Sequence, residues 1–453
     1  MLINIHKRVS NSFLHLARGS FAILLILLPF RLRIVAQARP VLGVYGDYTD
    51  FLFYAMDAAQ VLVLLFWLCS LFLDNRKISF GHISIALPLL GLLIAALFSL
   101  ISSIDAALSF YHLLRLVALF ALYLFIVNEI QTRLWFALPL GVQVFLQSVI
   151  AIGQSLAQRD LGVWWLGEYS LDPTAPFMSI LEVDGVRFLR AYGLSDHPNI
   201  LGGCLAFGML ALLCVIVARS SEKWLRIFAT IALIPASAAL LLTYSRSAWV
   251  ALAVGSLFLF GVTIFQRNLQ GFWRGAFLTV ACALVLVPFI QNNRDYIAAR
   301  FDVDDSFSNN RVERGAVVER LYLYDQAHKI FAQNSLTGIG LGASVIAMQV
   351  YYPVFRMSYQ PPHVSILAAA METGIPGAVF YVAAMILPFY CVLRNRRYLQ
   401  DDGIVMALVL ILAVMVIGLF DHYPWMLVPG RLMHWLGWGA FAAAVERFEA
   451  KNS

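Results

Sequence analysis

One histidine and three arginines have the types and settings that chemistry needs. His363 follows Pro361-Pro362, at the seam between a long polar stretch, 291–360, and an apolar run, 364–387. Neither proline can extend a helix backwards, so the spacing predicts His363 in the first turn of a helix. The positive end of a helix dipole disfavours an imidazolium there. A neutral imidazole so placed can take a proton from a hydroxyl, or it can simply bond the loop backbone. His197 is a rival base, but Pro198 and Asn199 mark its segment as a helix start, with Asp196 and Asn199 as expected N-caps.

Arg246 stands in Tyr244-Ser245-Arg246-Ser247, a very short turn between two apolar runs. A lone cation there either snorkels to the membrane surface or meets an anion. Arginine holds a phosphate by paired, charge-assisted hydrogen bonds and keeps its proton. Ser245, Ser247 and the amides of the following helix could add donors. Arg190 precedes another apolar run and Arg320 lies in the polar stretch. Each reads equally well as a ligand or as a solvated surface residue. Arg187, Arg311 and Arg314 carry less signal still.

Membrane spans must position these groups. The chain has 453 residues, 61% hydrophobic and 13% charged, with mean hydropathy +0.79. Soluble domains carry about twice that charge fraction. Twelve apolar runs approach the length of a bilayer crossing: 14–36, 51–73, 83–103, 109–128, 134–156, 199–218, 227–244, 247–265, 275–291, 364–390, 403–420 and 428–445. The chain reads as one all-α polytopic membrane domain, 1–453, with two longer loops, 157–198 and 292–362. Basic residues from Lys7 and Arg8 to Arg447 and Lys451 fall on alternate loops, on the side of the N-terminus. The positive-inside rule puts both termini in the cytoplasm and the two long loops outside. That collar accounts for the net charge of +6 without a nucleic-acid partner. Arg31 and Arg33 weaken the first run, and Ala36-Gln37-Ala38 resembles a peptidase site. An uncleaved first span is expected, because removing it breaks the alternation of loop charge.

Other motifs carry less. Asp302-Val-Asp304-Asp305 has the Asp-x-Asp form of a metal site, a three-residue signal. Gly338-Ile-Gly340-Leu-Gly342 lacks the strand and helix of a dinucleotide fingerprint and reads as a turn. The five cysteines show no zinc spacing or disulfide framework. In the second long loop, 312–332 reads as a helix with Val317, Leu321, Tyr324 and His328 on its apolar stripe. Glu372, nine residues beyond His363, is expected to face protein rather than lipid.

Taken in order, these segments resemble the O-antigen ligase and O-antigen polymerase superfamily of bacterial membrane glycosyltransferases. Arg190-Ala-Tyr-Gly193 with His197-Pro198-Asn199, then Ser245-Arg246, resemble two of its motifs. Arg320-Leu-Tyr-Leu-Tyr with the glycine turn, and His363 with Glu372-Thr373-Gly374-Ile-Pro-Gly377, resemble two more. The likeness covers 187–377, and Val364 stands where the family often has asparagine.

The resemblance implies a GT-C-like, metal-independent glycosyltransferase that needs no cofactor. Its donor would be a glycan on undecaprenyl diphosphate, at the periplasmic face of the bacterial inner membrane. The acceptor would be a sugar hydroxyl of lipid A-core. A repeat-unit polymerase or a protein O-oligosaccharyltransferase would use the same donor with another acceptor. His363 would be the general base, with Arg246, Arg320 and Arg190 on the diphosphate. A secondary transporter, the rival of a different class, needs midplane charges in both halves of the chain. Here the polar groups gather in one half.

Overall fold

The computed structural model describes residues 2–130, 132–301, 311–354 and 358–452. Asp302, Asp304 and Asp305 lie outside them. The first half runs α1 (Leu2–Ile26), β1 (Arg33–Gln37), β2 (Phe51–Tyr54), α2 (Ala55–Leu73), α3 (Ile83–Phe98), α4 (Ala106–Glu129) and α5 (Leu134–Ala157). A hairpin, β3 (Ile180–Val183) and β4 (Val186–Leu189), leads to α6 (Pro198–Val217), α7 (Lys223–Leu242), α8 (Arg246–Phe265) and α9 (Leu269–Asn292). Then come α10 (Arg294–Phe301), α11 (Arg311–Gln333), α12 (Ser344–Tyr351), α13 (Ser365–Arg394), α14 (Asp402–Gly418), α15 (Tyr423–Met426) and α16 (Val428–Asn452).

The protein is an all-α polytopic membrane protein. Each of the twelve expected spans is a helix. Among the described residues, nine helices are both long and apolar enough to cross a membrane. α3 and α14 are shorter apolar helices. α6 is apolar on all sides and every residue of it is buried, so it forms the axis of the bundle. It packs on α5, α7, α8 and α14.

Several boundaries differ from expectation, α2 starting at Ala55 after β2 and α16 running on to Asn452 among them, and two have a visible cause. The first helix ends at Ile26 rather than at 36. Arg31 and Arg33 lie beyond it, and both donate to Asp196, at 2.8 and 2.9 Å. β1 then pairs antiparallel with β2, so 33–37 is extended chain. The third helix ends at Phe98 rather than 103, because Ser99 turns its hydroxyl onto Ala96 O and Asp105 already caps α4 through Leu108 N.

The loop helix α11 forms as expected, but its packing face is not the stripe read from periodicity. Leu321, Tyr324 and Val318 are exposed. Leu323, Ala327 and Ile330 are buried, and join Ile339, Val345, Met348, Leu367 and Met371 in one apolar cluster. Both stripes are apolar enough to pack; the glycine turn that follows selects between them.

That turn is pinned to a break in α13. Gly374 has φ 69°, a left-handed backbone that interrupts the helix. Pro376 has no N–H to give Glu372 O, four residues back. Gly340 N fills the place at 3.1 Å. Ile375 N turns away to Ser335 O at 2.8 Å, and Ile339 N takes Met371 O at 3.0 Å. The sequence Gly374-Ile-Pro376 thus exposes two carbonyls, and the glycine turn supplies both donors. Glu372 itself is buried and accepts from Trp425 Nε1 at 2.8 Å.

A Cβ at Gly374 would lie 2.2 Å from Leu336 O. Gly374→Val is expected to cost about 1–3 kcal/mol, the usual scale of such backbone strain. It should lower the thermal-unfolding midpoint in detergent and open 334–342 to protease. An unchanged midpoint and cleavage pattern would show that the break does not hold the loop.

Candidate active site

Four parts of the chain meet beside the start of α13. His363 lies two residues before the helix, whose N-cap is Val364, and not in its first turn as the prolines suggested. Its ring packs edge-on against His422, centroids 4.8 Å apart. His363 Nδ1 is buried and has no hydrogen-bond partner among the described residues. His422 belongs to the short connection between α14 and α15. Its Nε2 is 3.0 Å from the Tyr48 hydroxyl. Ser365 Oγ donates to Asp421 O at 2.9 Å, which fixes that connection to the start of α13.

A relay of hydrogen bonds runs on from there. Asn199 Nδ2 donates to Asp421 Oδ2 at 2.8 Å, and Arg190 Nη2 donates to Asn199 Oδ1 at 2.6 Å. Arg190 also donates to Thr243 O at 2.8 Å and to Ser179 Oγ at 2.7 Å. Its buried guanidinium therefore ties α6, the α7–α8 turn and the β3 strap together. The α6 N-cap is His197, whose Nδ1 accepts from Asn199 N at 3.1 Å. Asp196 and Asn199, expected as caps, hold arginines instead: Arg31 and Arg33 for the first, Arg190 for the second.

Arg246 is the first residue of α8, after Ser245 as N-cap. Its Nη1 donates to Arg300 O at 2.9 Å, and Arg300 Nε donates to Tyr244 O at 3.0 Å. The turn and α10 are thereby locked face to face. The Ser245 and Ser247 hydroxyls are buried 3.3 Å apart.

Two cavities open among these groups. One of about 400 Å³ is lined by Arg190, Arg300, Arg320, His363, Asp421 and His422, and on other walls by Tyr45, Asp47, Tyr169 and Phe177. The other, of about 270 Å³, is lined by Arg246, Ser247, Arg300 and Arg320. Arg300, Arg320, Asn199 and Asp421 line both, so the two adjoin. The structure thus brings Arg190, Arg320 and His363 to one cavity and Arg246 to its neighbour. Sequence reasoning missed Arg300, Asp421, His422 and Tyr48. The alternation of loops already placed 419–427 on the same side as His363, a usable signal for Asp421 and His422. Arg300 had none, being one arginine among several in a polar stretch.

Burial and positive neighbours set the protonation here. Burial lowers the His363 pKa well below the ordinary value, and His422 and Arg320 add to it. His197 is pushed down to about 3 by burial and Arg190. Burial and the other arginines bring Arg300 down to about 8, and burial brings Arg190 to about 10. The result is a neutral imidazole beside crowded cations, suited to accepting a proton near a polyanion. His363, Asp421 and His422 also offer three ligand-type atoms within 4.8 Å of one another, a set able to take a metal ion. The surrounding arginines raise the cost of a further cation there.

The fold and this cavity define a membrane-embedded protein whose polar machinery sits at one end of its bundle. Residues 231–382, about a third of the chain, match the family described as O-antigen ligase, which supports the O-antigen ligase and polymerase superfamily. That family consists of glycosyltransferase-like enzymes. The matched segment holds Arg246, Arg320 and His363; Arg190, Asp421 and His422 lie outside it. No curated protein matches the chain.

A base held below its ordinary pKa of 6.5 stays neutral as the pH falls through that value. Activity limited by His363 should therefore show no acid loss between pH 7.5 and 6.5. A rate that halves near pH 6.5 in a kcat/KM profile would contradict the lowered pKa.

Proposed function

We propose that this protein is an O-antigen ligase of the bacterial inner membrane. It moves a glycan from undecaprenyl diphosphate to a sugar hydroxyl of lipid A-core. The observation that carries the reading is His363, its Nδ1 without a partner among the described residues, in the same cavity as Arg300, Arg320 and Arg190, adjoining that of Arg246. The acceptor oxygen attacks the anomeric carbon, and His363 takes its proton as the new C–O bond forms. The bond to the diphosphate breaks from the opposite face, and the electron pair leaves with undecaprenyl diphosphate. Configuration at the anomeric carbon inverts.

The leaving group gains negative charge as that bond breaks. Cations fixed in place before the reaction stabilise it without reorganisation. Arg246 and Arg320 are assigned to the diphosphate directly. Arg190, with three nitrogens already engaged, adds charge from the wall. Arginines take the part that a metal plays elsewhere, so the reaction proceeds without one. A lipid-linked donor suits a site at the end of a membrane bundle. The basic collar supports cytoplasmic termini and a periplasmic site.

His363→Ala and Arg246→Ala are each expected to abolish glycan transfer, by at least a hundredfold, while the protein still inserts and purifies as a folded monodisperse species. Transfer at the wild-type rate by either variant would sink the reading. A chelator such as EDTA should leave transfer unchanged. Loss of activity restored by Mg²⁺, which prefers oxygen ligands, would instead revive the Asp302-Val-Asp304 reading.

A further inference from the structure

His363, Asp421 and His422 are placed as metal ligands are, which the transfer of a proton to His363 does not require. Their ligand-type atoms lie within 4.8 Å of one another. His422 Nδ1 is 3.5 Å from Asp421 Oδ1. A tetrahedral zinc ion, with bonds of about 2.0–2.2 Å, holds its ligand atoms about 3.4 Å apart. His422 and Asp421 already have that spacing. His363 completes the set by closing about 1.4 Å at most.

The nitrogens that would ligate have nothing else to bond. Nδ1 of His363 and Nδ1 of His422 are both buried, and neither has a hydrogen-bond partner among the described residues. Two such nitrogens side by side have each lost water and gained no protein partner. The other nitrogen of His422 is engaged, Nε2 lying 3.0 Å from the Tyr48 hydroxyl. Metal-binding histidines are commonly held this way, the nitrogen away from the ion bonding a fixed neighbour that sets ring and tautomer. Asp421 is also held. Its Oδ2 accepts from Asn199 Nδ2 at 2.8 Å, and its Oδ1 from His422 N at 3.0 Å. All three residues line the 400 Å³ cavity, which leaves room for water as a fourth ligand.

We infer that His363, Asp421 and His422 bind one transition-metal ion of the zinc type, and that this ion shuts the site by occupying its base. The binding stands on geometry; the inhibition rests on the transferase reading. Two imidazoles and one carboxylate suit zinc and its neighbours, whereas magnesium and calcium want oxygen. Arg190, Arg300 and Arg320 line the same cavity and oppose any cation, so the ion is a reversible ligand and not a resident cofactor. A neutral imidazole has one nitrogen lone pair to give, whichever its tautomer. Once a metal holds that of His363, none is left to take a proton from an acceptor hydroxyl.

The test uses the full chain in detergent, freed of any affinity tag. Co²⁺ is the probe for binding, because its visible absorption reports tetrahedral ligation. Wild type should take up one Co²⁺ per chain, and Zn²⁺ should displace it. His422→Ala and Asp421→Asn should each weaken binding at least tenfold. Tyr48→Phe removes only a hydroxyl and should weaken it about tenfold, which keeps the test valid if the larger changes unfold the protein. In the transfer assay Zn²⁺ should inhibit wild type, EDTA should restore the full rate, and Mg²⁺ at the same concentration should do nothing. No tetrahedral Co²⁺ spectrum, or one that all three variants leave unchanged, would overturn the inference and leave the ligase reading standing. Transfer that saturating Zn²⁺ leaves unchanged, or speeds, would overturn it as well. A chain that binds the metal at these residues but transfers nothing from undecaprenyl diphosphate would defeat the ligase reading and leave the metal site standing.

Discussion

Crowding of arginines where two cavities meet beside Asp421 is the constraint on which this site depends. Arg190, Arg246, Arg300 and Arg320 line two adjoining cavities, and Asp421 is the acid that lines both with them. Two like charges about 4 Å apart repel by about 4 kcal/mol at an effective dielectric of about 20. Such a cluster stays together only where the fold leaves it no way to spread. Its members are accordingly fixed through backbone and neutral side chains: Arg190 by Thr243 O and Asn199, Arg300 by Tyr244 O, Arg246 by Arg300 O. These bonds place the guanidinium groups and leave further N–H groups of each for other contacts. After burial and His422, the positive charge of Arg320 helps to keep His363 unprotonated.

The architecture follows from where those partners sit. α6 can serve as an axis because it is apolar all round, and it presents His197, Pro198 and Asn199 at its start. The turn before α8 puts Arg246 on a helix N-terminus beside α10. The glycine turn docks on the broken α13 and carries α11, with Arg320, toward the same place. No single element owns the site. It exists because helix ends far apart in sequence converge at one end of the bundle.

Much of this was legible in the residues. The apolar runs located the twelve helices, since bilayer length is a strong constraint on composition. His363, Arg246 and Arg190 were legible because each borders an apolar run, and Arg320 because its segment follows the others in the order of the resemblance. What was not legible has physical causes. His363 was placed inside the first turn rather than two residues before the helix, because proline fixes where a helix cannot continue, not where the next one starts. Asp196 and Asn199 were read as caps from their side-chain type, and the longer-range pull of Arg31, Arg33 and Arg190 won. The packing face of α11 was misread because two stripes are apolar and only the docked glycine turn distinguishes them. Arg300 carried no local signal at all.

The central claim is a division of labour: arginines hold the diphosphate and His363 handles the proton. It is tested most directly by the affinity of purified wild type, His363→Ala and Arg246→Ala for undecaprenyl diphosphate, measured calorimetrically in the same detergent. His363→Ala should bind within twofold of wild type, and Arg246→Ala at least tenfold more weakly. Lost affinity in His363→Ala with affinity retained in Arg246→Ala would contradict the account.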